Sequence, residues 1–274
     1  MKKIASVIFF ALILISAVSI PDANSASLIG SGCSVSNVGY LTQLAKEYEK
    51  QTGIKVLVRG GGTVIGIEDL RTGKVDFAAS CRSRESTDPG DVQFVQVAWD
   101  ALVFIVHKTN PLDNISLKDV RAVYEGKITN WKSLKGKDME MKIFVSKTKK
   151  GLSGVEASIK SLVLGGREPV ETQNTVMLAS TGIVEQMVEA TPEGFAAAGF
   201  SSARKRNVKM FKVDGVSPTR GDIINYRYKL KRPLFILIPK NPKPEVKKFV
   251  DFVLSKKGQR LISSYGVVSL SDMK

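Results

Sequence analysis

Three short stretches of this sequence set glycines beside hydroxyl or thiol side chains just ahead of a helical pattern. They are Gly30-Ser31-Gly32-Cys33-Ser34, Arg59-Gly60-Gly61-Gly62-Thr63 and Gly151-Leu152-Ser153-Gly154. A chain that leaves a strand, turns through glycines and enters a helix presents free backbone N–H groups at the positive end of that helix, which suits an anion. One such turn alone is more often plain punctuation; three of the same character suggest a shared site. Enzymatic readings find little to rest on. The single histidine, His107, has no partner nearby in sequence, and no serine stands in a G-x-S-x-G elbow. Neither a complete G-x-x-x-x-G-K-[ST] nor a G-x-G-x-x-G occurs, and one histidine with two distant cysteines lacks the spacing of a zinc site. No enzyme, metal or cofactor is therefore expected.

Charge agrees with an anion. The 274 residues carry 41 Lys and Arg against 26 Asp and Glu, a formal charge of +15, and such a field raises the local concentration of anions. The basic residues are scattered with few aromatics among them, so nucleic acid is not the expected partner. Lys2-Lys3 followed by an apolar run over 4–20 and small residues over 21–26 reads as a secretory signal cleaved near Ala26, giving an exported, periplasmic protein. Apolar runs at 101–106 and 234–238 have strand length, too short to span a membrane. About 250 residues remain, enough for two lobes each with its own core. The only cysteines, Cys33 and Cys81, can pair in an oxidising compartment if their Cα atoms come within about 7 Å.

Strands and helices that alternate must position these turns. Strands are read at 28–29, 55–58, 75–79, 94–98, 101–107, 141–145, 194–200 and 233–239. Helices are read at 40–48 and 65–72 (stopped by Gly53 and Gly73), from Ser116 to about Tyr124, and at 153–164, 181–190, 244–254 and 258–265. The basic run 204–213 reads as an exposed strand and loop. Alternation of this kind predicts parallel βαβ units with ligand loops at the strand C-termini, hence an α/β fold. Strands 101–107 and 234–238, each followed by a proline-containing loop, are the expected crossovers between two lobes, one of residues 27–107 with 233–274 and one of residues 108–232. Closure about that hinge would trap a ligand.

Several stretches carry a family resemblance. Gly60-Gly61-Gly62-Thr63-Val64-Ile65-Gly66-Ile67, Val75-Asp76-Phe77-Ala78-Ala79-Ser80, Trp99-Asp100-Ala101-Leu102-Val103-Phe104-Ile105-Val106 before Asn110-Pro111, and Tyr124-Glu125-Gly126-Lys127-Ile128-Thr129-Asn130-Trp131 resemble the periplasmic phosphate-binding proteins of high-affinity phosphate uptake systems. The resemblance spans nearly all the chain after the signal and thins between 165 and 230. It implies a two-lobed, type II periplasmic binding protein (Venus-flytrap) fold, each lobe a mixed sheet flanked by helices. A tetrahedral oxyanion, phosphate or arsenate, is held between the lobes and passed to an inner-membrane ABC permease or reported to a sensor kinase, and the protein is expected to act as a monomer.

Carried over by position, the resemblance assigns ligand contacts to Ser34 and Val35, to Thr63 where the family usually has serine, and to Lys149, Ser153, Gly154 and Val155 where it has Arg-x-x-Gly-Ser-Gly-Thr. Lys149 keeps the charge of that arginine without its planar fork, and Val155 lacks the threonine hydroxyl. Cys81 followed by Arg82 stands where many members place an aspartate, which leaves Arg82 either a substitute cation or a surface residue beside Arg84. Cys33 and Cys81 fall on two loops that face the cleft. Three readings stay open: a disulfide, a thiolate pair that makes the protein a receptor for arsenite or arsenate, or two unpaired small residues. The departures also allow a basic envelope interaction module that binds no free ligand.

Overall fold

The computed structural model describes residues 27–273, so the signal expected over 1–26 lies outside the described residues. Among the described residues no helix is long and apolar enough to cross a membrane. The chain opens with β1 (Ser27–Gly32) and α1 (Ser34–Ser36), which runs through a π turn at Asn37–Leu41 into α2 (Thr42–Thr52). Gly53, at φ 72°, ends α2 and donates its N–H to Glu49. β2 (Lys55–Val58), α3 (Thr63–Arg71), β3 (Phe77–Ser80) and the long β4 (Val92–His107) follow. The middle of the chain contributes β5 (Asn114–Ile115), α4 (Leu117–Tyr124), β6 (Lys142–Thr148), β7 (Gly151–Leu152), α5 (Gly154–Leu162), β8 (Thr175–Leu178), α6 (Thr181–Ala190), β9 (Gly194–Gly199), α7 (Phe200–Ala203), β10 (Val208–Met210), β11 (Lys212–Val213) and α8 (Arg220–Ile224). β12 (Lys231–Pro239), α9 (Pro244–Leu254), α10 (Lys256–Ser264) and β13 (Val268–Ser269) close it.

The strands join in the order β2-β1-β3-β12-β4-β9-β6-β7. β1 pairs in parallel with β2 and β3, as βαβ alternation predicts, whereas β12 returns antiparallel to both β3 and β4. β4 belongs to two lobes: residues 92–101 pair with β12 in the first, and residues 102–106 pair with β9 in the second. The sequence pattern breaks this strand at Trp99-Asp100, but the backbone continues through it. Asp100 is buried there because Arg232, across the sheet, donates to its Oδ2 from Nη2 at 2.9 Å and from Nε at 3.3 Å. A buried charge with a partner does not have to end a strand.

Most of the buried apolar residues form one core that runs through both lobes. In the second, Phe195 lies against Phe104, Tyr124 and Trp131, with Trp131 Nε1 donating to Glu193 O at 3.1 Å. In the first, Gly66 brings α3 onto β1 so closely that a Cβ there would stand 2.7 Å from Gly32 Cα. The basic run 204–213 is not a free surface strand. Lys205 Nζ donates to the carbonyls of Val38 and Gly39, Arg204 Nη1 to Tyr265 O, and Lys209 Nζ to Asp113, so these cations tie distant segments together.

Candidate functional site

Four helices begin on facing walls of one cleft. On the first-lobe side Cys33 precedes α1, and Gly62, at φ 96°, turns the chain so that Thr63 is the first residue of α3. A positive φ of this kind favours glycine. On the second-lobe side Ser153 caps α5 by accepting the Val155 N–H at 3.2 Å, and Ser180 caps α6, whose first residue is Thr181. The walls touch. A Cβ placed on Gly154 would lie 2.7 Å from both Cys81 Sγ and Thr63 Oγ1. Gly182 faces Ser34 in the same way, at 3.5 Å from its Cβ, and between Gly61, Gly62 and Ser153 a void of only about 10 Å³ remains.

The polar groups on these walls are buried. Thr63 is 0 % exposed, and its Oγ1 has no hydrogen-bond partner among the described residues. An orphaned buried hydroxyl is costly unless something else satisfies it. Ser153 Oγ donates to Glu156 Oε2 and lies 3.3 Å from Thr181 Oγ1, and Glu156 Oε1 accepts the Ser146 N–H at 2.9 Å. Burial pushes the Glu156 carboxyl up to about 7, against the hydrogen bonds from Ser146 and Ser153.

Cys33 and Cys81 stand side by side at the base of the cleft as free, buried thiols within hydrogen-bonding reach, not as a disulfide. Burial opposes ionisation of both. At Cys33 the hydrogen bond from Cys81 and the field of Arg232 outweigh it and hold the thiol below its usual value, whereas Cys81 is driven up by burial and by the proton it shares with Cys33. Arg232 lies behind the pair, 2 % exposed, bonded to Asp100, Cys81 O and Ser158 Oγ.

Of the residues singled out from sequence, Cys33, Ser34, Thr63, Cys81, Ser153 and Gly154 come together here. The Val155 N–H is turned back to Ser153, and Val35, 1 % exposed, packs against Gly199. The two expected cations stand apart. Arg82 is taken by Asp88 in a two-point contact at 2.6 and 2.8 Å, with Glu85 beside it, and Lys149 is exposed at the tip of the β6–β7 hairpin. Next to that hairpin, Lys150 meets Glu68 at 3.1 Å across the rim of a 380 Å³ cavity of mixed charge. Sequence reading missed Thr181, Glu156 and the Arg232–Asp100 pair. Ser180-Thr181-Gly182 repeats the hydroxyl–glycine character of the other turns, and Ser153-x-x-Glu156 is a capping-box spacing, so two of the three carried a local signal. Among the described residues no cluster of three or more His, Cys, Asp or Glu side chains could hold a metal ion.

A mixed sheet shared by two lobes, with helix starts facing across the cleft between them, defines a type II periplasmic binding protein. The PBP superfamily domain matches residues 17–257, and the chain belongs to that superfamily. It is 27% identical over 254 residues to the phosphate-binding protein PstS of Borreliella burgdorferi, covering 88% of this chain and 89% of that one. Among solved structures it is similar to a Clostridium perfringens protein, assigned as a phosphate ABC transporter substrate-binding protein and crystallised with bound phosphate (25% identity, TM-score 0.79, 89% and 99% coverage). It is also similar to an ABC-type phosphate transport receptor from Vibrio cholerae (26% identity, TM-score 0.67, 89% and 100% coverage).

Proposed function

We propose that this chain is an exported solute-binding protein, not an enzyme, that captures a tetrahedral oxyanion, phosphate or the isosteric arsenate, between its lobes. The observation that carries this is Thr63: a buried hydroxyl at the start of α3 without a partner among the described residues, facing Gly154 at the start of α5. Two helix N-termini and a free donor on opposite walls are what a dehydrated anion needs. The chain crosses between the lobes inside β4, after Ala101, and again at the start of β12, so the proposed boundaries fall near residues 101 and 231 instead of the expected 107 and 233; the lobes part to admit ligand and close on it. Ser34, Thr63 and the Gly154 N–H are the proposed donors, because the Ser153 hydroxyl and the Val155 N–H are already engaged within α5. A monomer delivering its cargo to an ABC permease fits the likeness to transporter components, and a sensor kinase is the second candidate recipient. Thermal unfolding with phosphate, arsenate, sulfate and arsenite tests the reading. A ligand of the folded state present at about a hundred times its Kd adds about 2.7 kcal/mol, and no shift with any tetrahedral oxyanion at millimolar concentration overturns it.

The adjacent free thiols favour a second reading, in which Cys33 and Cys81 hold trivalent arsenic. Loss of both thiols in a titration when arsenite is added, with no melting shift from phosphate, would select it over the first.

A further inference from the structure

The walls that meet at Thr63 and Gly154 part again a short way along. Val64 and Leu152, the chain neighbours of Thr63 and Ser153, line both the small void at Gly62 and the 380 Å³ cavity, so the two spaces share a border. A volume of 380 Å³ falls within the range of small-molecule sites, about 300–1,000 Å³. Its apolar lining, Val64, Ile67, Leu152, Ala157 and Pro89, comes from α3, β7, α5 and the loop after β3. Its charged lining is balanced, four acidic side chains against four basic ones, in a chain that carries +15 overall. Two of the basic groups are already paired there, Lys150 with Glu68 at 3.1 Å and Arg82 with Asp88 at 2.6 Å. A charged group placed in this cavity would meet like charge whichever its sign, whereas an uncharged one would cover the apolar surface at no such cost. Inorganic phosphate carries no group that could cover it.

We propose that the cleft takes a phosphate monoester of a small uncharged organic group, with its phosphoryl oxygens at Thr63 and the Gly154 N–H and its ester substituent passing between Val64 and Leu152 into the cavity. This rests on the oxyanion reading above and names the substrate class of that site. A monoester keeps three free oxygens and the charge of a phosphate dianion, so the same donors serve it. The substituent adds burial, worth about four-fold in affinity for each methylene taken out of water. Glu68 belongs to α3 and Lys150 to the β6–β7 hairpin, so their contact joins the two walls at the rim. The cavity therefore closes together with the cleft, and the substituent is enclosed only in the closed form.

Titration calorimetry at pH 8 with inorganic phosphate and with methyl, ethyl and propyl phosphate tests this, since all four are predominantly dianions there. In the wild-type protein affinity rises from methyl to propyl phosphate by about four-fold for each added carbon. Ala157→Phe fills the cavity from α5, at a residue outside the proposed donors. In that variant the rise disappears, while the Kd for inorganic phosphate stays within about two-fold. Thr87→Trp, which fills the cavity from its exposed rim, gives the same result if the first variant fails to fold. An affinity that stays level or falls along the wild-type series, or a rise retained in either folded variant, overturns the proposal, and the oxyanion reading stands as long as inorganic phosphate binds. If neither inorganic phosphate nor any ester binds the wild type, the oxyanion reading falls with it.

Discussion

Substituting Gly154 by alanine puts the cleft itself under test. The added Cβ would stand 2.7 Å from Cys81 Sγ and 2.7 Å from Thr63 Oγ1, both on the opposite wall. Ordinary carbon contacts begin near 3.4 Å, so each neighbour must give by about 0.7 Å, and both side chains are short and buried. Overpacking of this kind costs about 1–3 kcal/mol. The cost falls only on the form in which the walls meet. In the open form alanine at the first helical position is the better residue, by up to about 1 kcal/mol. The closed, ligand-holding form is therefore disfavoured, and Kd for phosphate and arsenate rises by about 5- to 150-fold, read by titration calorimetry. Gly182→Ala is the control, because its Cβ would meet Ser34 at an ordinary 3.5 Å, and it leaves Kd within about two-fold. If Gly154→Ala binds as tightly as the wild type, the two walls do not close on the ligand.

Other outcomes follow from buried charges. Burial holds the Glu156 and Glu185 carboxyls at about 7 against an ordinary 4.5, so the folded chain keeps protons that the unfolded chain releases. Their contribution is fully present below about 4.5 and is lost as pH rises through about 7, each by about 3 kcal/mol; denaturant melts at pH 5 and pH 8 should show it, Glu185→Gln should remove its share, and a rise in stability over this range would contradict it. Arg82→Ala should lower stability yet leave phosphate affinity within about two-fold, since its guanidinium is held by Asp88; a ten-fold loss measured by calorimetry would return it to the site. Arg232→Met should destabilise by about 3–5 kcal/mol by leaving Asp100 charged and buried. Adding Asp100→Asn should recover much of that loss in urea melts, and a double variant no better than the single would refute the pair's role.

The parts of this molecule legible in its sequence are those set by local chemistry. α6 and α9 appear with the bounds their apolar spacing marks, and the turns at 60–63 and 151–154 stand where glycine and hydroxyl residues place them. What is not local was harder to see. Trp99-Asp100 looked like a break because the residue that satisfies Asp100 lies 132 positions away. Arg82 looked like a free cation because Asp88, six residues on, gave no pattern to mark it as a partner. The basic run at 204–209 looked like exposed charge because its acceptors, among them the carbonyls of Val38 and Gly39, are backbone groups from the far end of the chain. The donor direction of Ser153 depends on which atom Glu156 meets, and composition and spacing do not encode that.

The location of the oxyanion is the central claim, and anomalous scattering from a crystal grown with arsenate tests it most directly. The account predicts one arsenic peak between the lobes, with arsenate oxygens within hydrogen-bonding distance of Thr63 Oγ1 and of the N–H groups at the starts of α3 and α5. A peak only on surface lysines, or none in the cleft at saturating arsenate, would contradict it.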